Sequence, residues 1–414
     1  MTGHVRLLKM SWLIAHHKAR KILMRRQELP EEAFISVKEL QRLYGTGNRD
    51  GVLPIIAISF CWLTPAHPDP AGEQLAIVAA ALECEREQYA RANGDFLGFQ
   101  EMGVFWDWGS IHQKDPTLFN QQETPEAKPE AEREAFIEEL TAKKKFYGGA
   151  EYEASRTSEE KKSFSFALHE TMDLWYAHQG TSVYLLTELP EGCATRKVGY
   201  SDSGWTTYER CSAEQIKKVY LFNAKWRLVL DLGAVDGGKT RREWPVGPDD
   251  FDVIVETKHF TNGADQHAVK NLYRRMSIKQ LGGIEMLDFT GMHPPSVEEA
   301  RRLGRCLSLC TSIRKLDLSS VGMDDGGVEG MLSEVRSGSL ASLTVLNLGG
   351  NQIGDEGMEA FSSALSSGSL PALKEVVVED AHEDHTQLVA ACKPRGIRIV
   401  GFPSGYLYPQ QPNR

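Results

Sequence analysis

The stretch Leu343-Thr344-Val345-Leu346-Asn347-Leu348-Gly349-Gly350-Asn351-Gln352-Ile353-Gly354-Asp355-Glu356-Gly357 decides how the C-terminal third folds. Leu343, Leu346 and Leu348 follow the pattern apolar-x-x-apolar-x-apolar, whose last two members alternate as a short strand requires. Gly349-Gly350-Asn351 is turn chemistry, and Met358, Phe361 and Leu365 then recur at helical spacing. The same strand pattern occurs at Ile284/Leu287/Phe289, Ile313/Leu316/Leu318 and Leu373/Val376/Val378. Successive units are offset by 29, 30 and 30 residues. One strand and one helix of this length cannot bury their own apolar face, so the units must stack.

Punctuation supports the stacking. Ser296-x-x-Glu299 is a capping box that opens a helix with Ala300, Leu303 and Leu307 on one face. Gly338 and Gly368 close two units as helix stops, and Ile397–Gly401 offers a final strand. The unit Leu343–Leu370 resembles the leucine-rich repeat family in its longer, ribonuclease-inhibitor-like class. That resemblance implies a short solenoid whose strand face binds a protein. Outward residues beside the strand leucines would make the contacts: Glu285, Asp288, Arg314, Asp317, Thr344, Asn347, Lys374 and Glu375. Acids outnumber bases in this set, so a basic patch on the partner is expected.

Working outward, residues up to about 275 alternate strands with helices, which argues for a parallel sheet covered by helices on both sides. Val52–Phe60, Met102–Trp106, Ser182–Leu186 and Trp226–Leu232 read as strands. A helix begins at Asp69-Pro70, a second spans Phe164–His178, and a third opens at Gly204 and continues toward Phe222. Between Lys114 and Lys162, 21 of 49 residues are charged, the composition of a solvated surface insertion. Residues Phe251–Met276 read as a joint to the repeats.

Composition bounds the function. The chain has 414 residues, 41% hydrophobic and 25% charged, as in folded globular proteins of two or three domains. Its net charge of −10 disfavours nucleic acid as a partner. No apolar run approaches the roughly 18 residues of a spanning helix. Seven cysteines without a CxxC pair read as reduced thiols, and no metal site is expected. Together these suggest a cytoplasmic protein. The first 26 residues carry seven Lys/Arg and no acid, which fits either an organelle presequence or, preferably, a basic surface helix of the first domain.

In open parallel sheets, ligands sit at the carboxyl ends of the strands. Those ends here carry Ser59-Phe60-Cys61-Trp62, then Trp106-Asp107-Trp108, then Thr187-Glu188. Trp205 and Glu209 share one face near a helix start. Carboxylates beside aromatics can handle a nucleotide or sugar; equally, the aromatics can be core and the polar groups caps. Gly233-Ala234-Val235-Asp236-Gly237-Gly238-Lys239-Thr240 matches the phosphate-loop pattern, but Pro245 and Pro248 leave little room for the helix that such a loop feeds; a Gly-rich hairpin fits as well.

Three blocks in order resemble fungal heterokaryon-incompatibility (HET) domains: Ala57-Ile58-Ser59-Phe60-Cys61-Trp62, Val104-Phe105-Trp106-Asp107-Trp108-Gly109-Ser110-Ile111-His112-Gln113-Lys114-Asp115, and Ser203-Gly204-Trp205-Thr206-Thr207-Tyr208-Glu209. Met172-Asp173-Leu174-Trp175-Tyr176-Ala177 suits a fourth, helical block. The Trp-x-x-x-Glu spacing is similar to that of Toll/interleukin-1 receptor (TIR) domains. The resemblance implies a flavodoxin-like fold over roughly 52–222, self-association through that domain, and, as in some TIR domains, NAD cleavage. Glu209 would then be the catalytic carboxylate, with Ser59, Trp62, Asp107 and Trp205 shaping the pocket.

The expected organisation is α/β throughout: a basic extension (1–50), a HET/TIR-like domain (51–235, with the insertion 114–162), a joint (236–280), leucine-rich repeats (281–405) and a tail (406–414). The expected function is an intracellular sensor or adaptor. The alternatives are an NAD(P) glycohydrolase, with NAD as substrate rather than resident cofactor, and a nucleotide binder at Gly233–Thr240.

Overall fold

A computed structural model describes residues 3–40, 53–90, 101–120, 128–133, 135–136, 148–191, 198–221, 226–233, 242–260, 264–335, 338–379 and 386–401. The chain is mixed α/β, built on two five-stranded sheets.

The first sheet comprises β1 (Leu8–Lys9), β2 (Ile55–Ser59), β3 (Gly103–Phe105), β4 (Thr181–Leu185) and, after a small β5/β6 hairpin (Tyr220–Leu221, Trp226–Arg227), β7 (Val229–Asp231). Their order is β1-β3-β2-β4-β7. All neighbours run parallel except β1, which is antiparallel to β3. Register places Ala57 opposite Phe105 on one side and Val183 on the other.

Side chains two apart share a face of a strand, and β2 is buried on both. Ile56 and Ile58 join a core with Val104, Tyr184 and residues of α1 (Met10–Lys18) and α2 (Glu73–Ala90), including Leu13, Leu75, Val78 and Leu82. Ala57 joins the opposite core with Phe105, Val183 and Leu185. That second core is roofed by α3 (Ser158–Glu170), α4 (Met172–Tyr176), α5 (Gly204–Ile216), α6 (Pro248–Glu256) and α7 (Ala264–Gly283). Two-sided coverage explains why β2 reads as a continuous apolar run.

Several expected elements take a different form. The basic N-terminal segment is structural: Leu8, Met10, Leu13 and Ile14 are buried in the sheet's core, while Arg6 and Lys9 form surface ion pairs with Glu31 and Glu39. The helix expected from Pro70 starts at Glu73, because Gly72 takes φ +76°; Asp69 Oδ2 instead accepts from the Leu75 N–H at 2.8 Å. The helix expected over Phe164–His178 breaks at Thr171 (φ −129°), whose hydroxyl donates to the Ala167 carbonyl at 2.7 Å. The helix from Gly204 stops at Ile216, before Lys217, which turns extended and donates a hydrogen bond from its buried Nζ to the His178 carbonyl. Trp226–Leu232 splits in two, one half pairing with β5 and the other with β4.

Residues expected to act as a joint pack deep. Val246, Phe251, Val255, Val269 and Tyr273 belong to the same core as Ala57 and Tyr208, with the Phe251 and Tyr273 rings stacked at 3.8 Å. Much of the charged insertion lies outside the described residues. At its described end, Phe119 meets Tyr152 edge-on, and Lys114 pairs with Glu153.

The second sheet is wholly parallel and runs in chain order: β8 (Met286–Asp288), β9 (Lys315–Asp317), β10 (Val345–Asn347), β11 (Glu375–Val378) and β12 (Arg398–Gly401). Leu287, Leu316, Leu346, Val376 and Ile399 stand in register. The first four are buried in one core with the inner faces of α8 (Val297–Leu307), α9 (Asp325–Glu334), α10 (Asp355–Ser366) and α11 (Thr386–Cys392), and Ile399 packs against it half-buried. The capping box at Ser296 is present in full. Asn351 joins consecutive turns: its amide donates to the Leu318 and Leu348 carbonyls (2.7 and 2.9 Å). Its Oδ1 accepts from the Val321 and Met323 N–H groups, both at 3.1 Å. One side chain thus satisfies four main-chain groups that the turns would otherwise strand.

Candidate functional site

The carboxyl ends of β2 and β3 and the first turns of α5 converge. Ser59, the last residue of β2, is fully buried. Its Oγ donates to Glu209 Oε2 at 2.6 Å and shares a 2.6 Å bond with the Tyr200 hydroxyl. Tyr176 on α4 is buried beside them; its hydroxyl donates to the Ile58 carbonyl at 3.1 Å and also bonds the Glu209 carboxyl. Glu209 is therefore held within a cluster of three hydroxyl side chains at the end of a central strand.

Asp107 sits just beyond β3. Its Oδ1 accepts from the Trp108 N–H at 2.6 Å, and its Oδ2 faces the Trp62 indole N–H at 3.4 Å. Trp62 packs edge-on against Trp108, ring centres 5.3 Å apart. Ser59, Trp62, Asp107 and Glu209 thus assemble at one strand-end rim, whereas Trp205 turns elsewhere: its indole donates to Asp265 of α7 at 3.1 Å.

The electrostatics follow from burial. Removal from water pushes the Glu209 carboxyl up to about 8, and the nearby Asp107 charge adds to this; the Ser59 and Tyr176 hydroxyls act in the opposite sense. Burial likewise raises Asp107 to about 6, against the Trp108 and Trp62 donors. At neutral pH the site holds a largely protonated Glu209 beside a largely ionised Asp107. Desolvation first, and the Glu209 charge second, hold the Tyr176 and Tyr200 hydroxyls well above their usual range, so both stay proton donors.

Tyr200 and Tyr176 are the functional candidates that sequence reasoning passed over. Tyr176 stands in the helical block, where its spacing reads as core. Tyr200 lies in a turn, and no local signal ties it to Ser59, 141 residues away.

Gly204 has a steric reason: a Cβ there would lie 1.9 Å from the Phe260 ring. Gly233 has one as well, since its Cβ would stand 2.5 Å from the Glu188 nitrogen. Its N–H donates to Asp231 Oδ1 at 3.0 Å, the oxygen that also takes the Thr187 hydroxyl. Close backbone approach therefore accounts for the first glycine of the phosphate-loop pattern; residues 234–240 lie outside the described set.

On the repeats, Glu285, Arg314, Thr344 and Lys374 stand immediately before their strands, the Thr344 hydroxyl donating to the Arg314 carbonyl at 2.9 Å. Asp288, Asp317 and Asn347 form an outward row, but each carboxyl or amide oxygen accepts from an N–H two residues on, at 3.1 Å. Asp288 is also paired with Lys218 at 2.9 Å, and Glu375 with Arg398. The acidity expected of this face is thus partly neutralised from within. Strict alternation about Leu287, Leu316 and Leu346 gives a further outward row that the looser pattern missed: Met286, Lys315 and Val345, in register with Glu375 and Arg398.

The first repeat is docked on the N-terminal part of the chain. Ile216 of α5 and Trp244 lie in the repeat core, with Trp244 5.5 Å from the Phe289 ring. The described cysteines, six of the seven, are free thiols. Among the described residues no helix is long and apolar enough to cross a membrane.

A family model described as Leucine Rich repeat matches residues 339–362, the span that contains β10 and the first two thirds of α10. This match is consistent with a protein-interaction role for that region. No curated protein matches the chain.

Proposed function

We propose that this chain is an intracellular, cytoplasmic adaptor. Its repeats, forming a short solenoid over 281–405, take a protein partner. Its N-terminal part is a flavodoxin-like, HET/TIR-type signalling domain able to self-associate. The observation that carries this reading is the in-register parallel sheet β8–β12, which presents two rows of side chains outward from a continuous leucine-lined core. Strand-lined faces of stacked repeats are broad recognition surfaces.

The test is affinity capture with the full chain against a variant carrying Arg314→Glu, Asn347→Arg and Lys374→Glu. All three sites lie at or before strands, outside the core. A partner retained by the wild type and lost by the variant supports the reading; a partner set identical for both removes it. Because Lys218 and Arg398 already engage Asp288 and Glu375, affinity should weaken only mildly with salt.

A second reading is favoured by one observation, the Ser59–Glu209–Tyr200 cluster beside Asp107 at the strand ends. In this reading the site cleaves NAD. The positive charge on the substrate's nicotinamide ring would favour the ionised form of Glu209, which would release its proton to water. The resulting carboxylate would stabilise positive charge developing on the ribose, as carboxylates do in glycoside cleavage. Ser59 would hold the carboxylate and Trp62 would stack on a base or nicotinamide ring. Nicotinamide release by the full chain, abolished in Glu209→Ala, is the expected result. No release, or equal release by the variant, rejects catalysis. Nucleotide binding at Gly233–Thr240 is kept as a third reading, tested by comparing nucleotide titrations of the wild type and Lys239→Ala.

A further inference from the structure

We propose that Glu243, His293 and Glu299 form a binding site for a borderline divalent transition-metal ion, of which zinc is the type. It would clasp the segment entering α6 to the first repeat. One ligand atom from each residue lies within 4.8 Å of the others. The three come from separate places: Glu243 precedes the buried Trp244, His293 lies between β8 and α8, and Glu299 is in the first turn of α8.

The imidazole is what marks the cluster as a site. The His293 side chain is only 9% exposed, and its Nε2 points at Glu299 Oε1 from 3.8 Å, too far for a hydrogen bond. That nitrogen is buried and has no hydrogen-bond partner. The other nitrogen, Nδ1, lies 2.9 Å from the Pro294 carbonyl, an acceptor, so it carries the proton. The tautomer with a lone pair on Nε2 is therefore the one the backbone selects. A carbonyl on the far ring nitrogen is how proteins orient a metal-binding histidine. A buried imidazole nitrogen without a partner costs free energy, which a metal bond would recover.

The carboxylates are placed to complete the set. Glu299 Oε2 accepts from the Ser296 N–H and hydroxyl at 2.8 and 2.7 Å, fixing the side chain and turning Oε1 toward the imidazole. Glu243 is held loosely: Arg210 is 3.5 Å from its Oε1 and has a closer partner in Glu214, at 3.3 Å. Glu243 can turn to a cation without stranding Arg210. The Trp244 indole donates to the His293 carbonyl at 3.1 Å, bringing the two segments together.

The donor set selects the ion. One imidazole nitrogen and two carboxylate oxygens suit zinc and its first-row neighbours, whereas magnesium requires an oxygen shell. Metal–ligand bonds of about 2.0–2.2 Å place donors roughly 3.3–3.6 Å apart in a tetrahedron, a short contraction from the present spacing. A water would complete four-coordination.

The test uses the full chain, stripped with a chelator and titrated with zinc against a chromogenic competitor. The expected result is one ion per chain, not displaced by magnesium. Affinity should fall at least tenfold in His293→Ala and in Glu243→Gln. Glu243 is exposed, so Glu243→Gln should match the metal-free wild type in melting temperature, which separates loss of a ligand from loss of the fold. Zinc should raise the melting temperature of the wild type more than that of either variant. Cobalt in place of zinc should show no thiolate charge-transfer band. Absence of stoichiometric zinc, unchanged uptake in both variants, or a thiolate band would each overturn the proposal.

Discussion

Replacing Glu209 by Gln should change how stability depends on pH while leaving the shape of the site nearly intact. Burial raises the Glu209 carboxyl from the usual 4.5 to about 8. Between those values the folded chain keeps a proton that the unfolded chain releases. The native state binds more protons, so stability must fall as pH rises through this window and level off above the folded value. A rise of this size corresponds to about 3–5 kcal/mol for the complete transition, at 1.36 kcal/mol per unit. Gln cannot ionise, and its amide can still meet Ser59 and Tyr176. Urea unfolding of both proteins at pH 5, 7 and 9 isolates Glu209 and the groups coupled to it, Asp107 above all, because titrating groups that do not interact with Glu209 cancel in the difference. At pH 5 the two should agree within about 1 kcal/mol; at pH 9 the variant should be more stable by a few kcal/mol. Two stability curves running parallel from pH 5 to 9 would refute the desolvated, protonated carboxyl and the site chemistry built on it.

Other perturbations have equally definite outcomes. Asn351→Ala strands two carbonyls and two N–H groups in adjacent turns and should cost roughly 2–4 kcal/mol in chemical unfolding; Asn351→Asp keeps only the accepting half and should recover part of that. Gly304→Ala would place a Cβ 2.2 Å from the Met331 carbonyl oxygen, so α8 and α9 must separate, with a loss of about 1–3 kcal/mol and a lower melting temperature. Leu346→Ala empties the middle of the repeat core and should cost about 2–5 kcal/mol. If the NAD reading holds, release should climb with pH toward about 8 as Glu209 gives up its proton, and a rate independent of pH would argue against that residue.

The C-terminal third is legible because its pattern is repeated: Leu346 alone is ambiguous, but the same leucine at the same place in successive units specifies strand, register and stacking together. The strands of the first sheet are legible as apolar runs with turn chemistry at their ends. Their boundaries are not, because tertiary partners set them. Thr171 leaves the helix to cap Ala167, and Leu228 divides a single apolar run between two pairing partners. Ser59, Asp107 and Glu209 are identifiable from their position at strand ends and a helix start. Tyr200 and the pairing of Glu243 with His293 depend on long-range packing that no local window contains. Residues 251–276 read as a joint because a turn at Phe260–Gly263 and the charges Lys270, Arg274 and Arg275 are conspicuous, while the Phe251–Tyr273 stack is not.

Helix α5 serves two cores at once, with Tyr208 and Ala213 in one and Ile216 in the other. The two halves of the chain are for this reason poor candidates for modular exchange. Cutting the repeats away would leave Ile216 and Trp244 facing water on one fragment and an uncovered Phe289 on the other. A truncation placed near residue 280, where composition invites it, should yield two sticky fragments. Fluorophores placed one in each sheet of the intact chain should report a single melting midpoint.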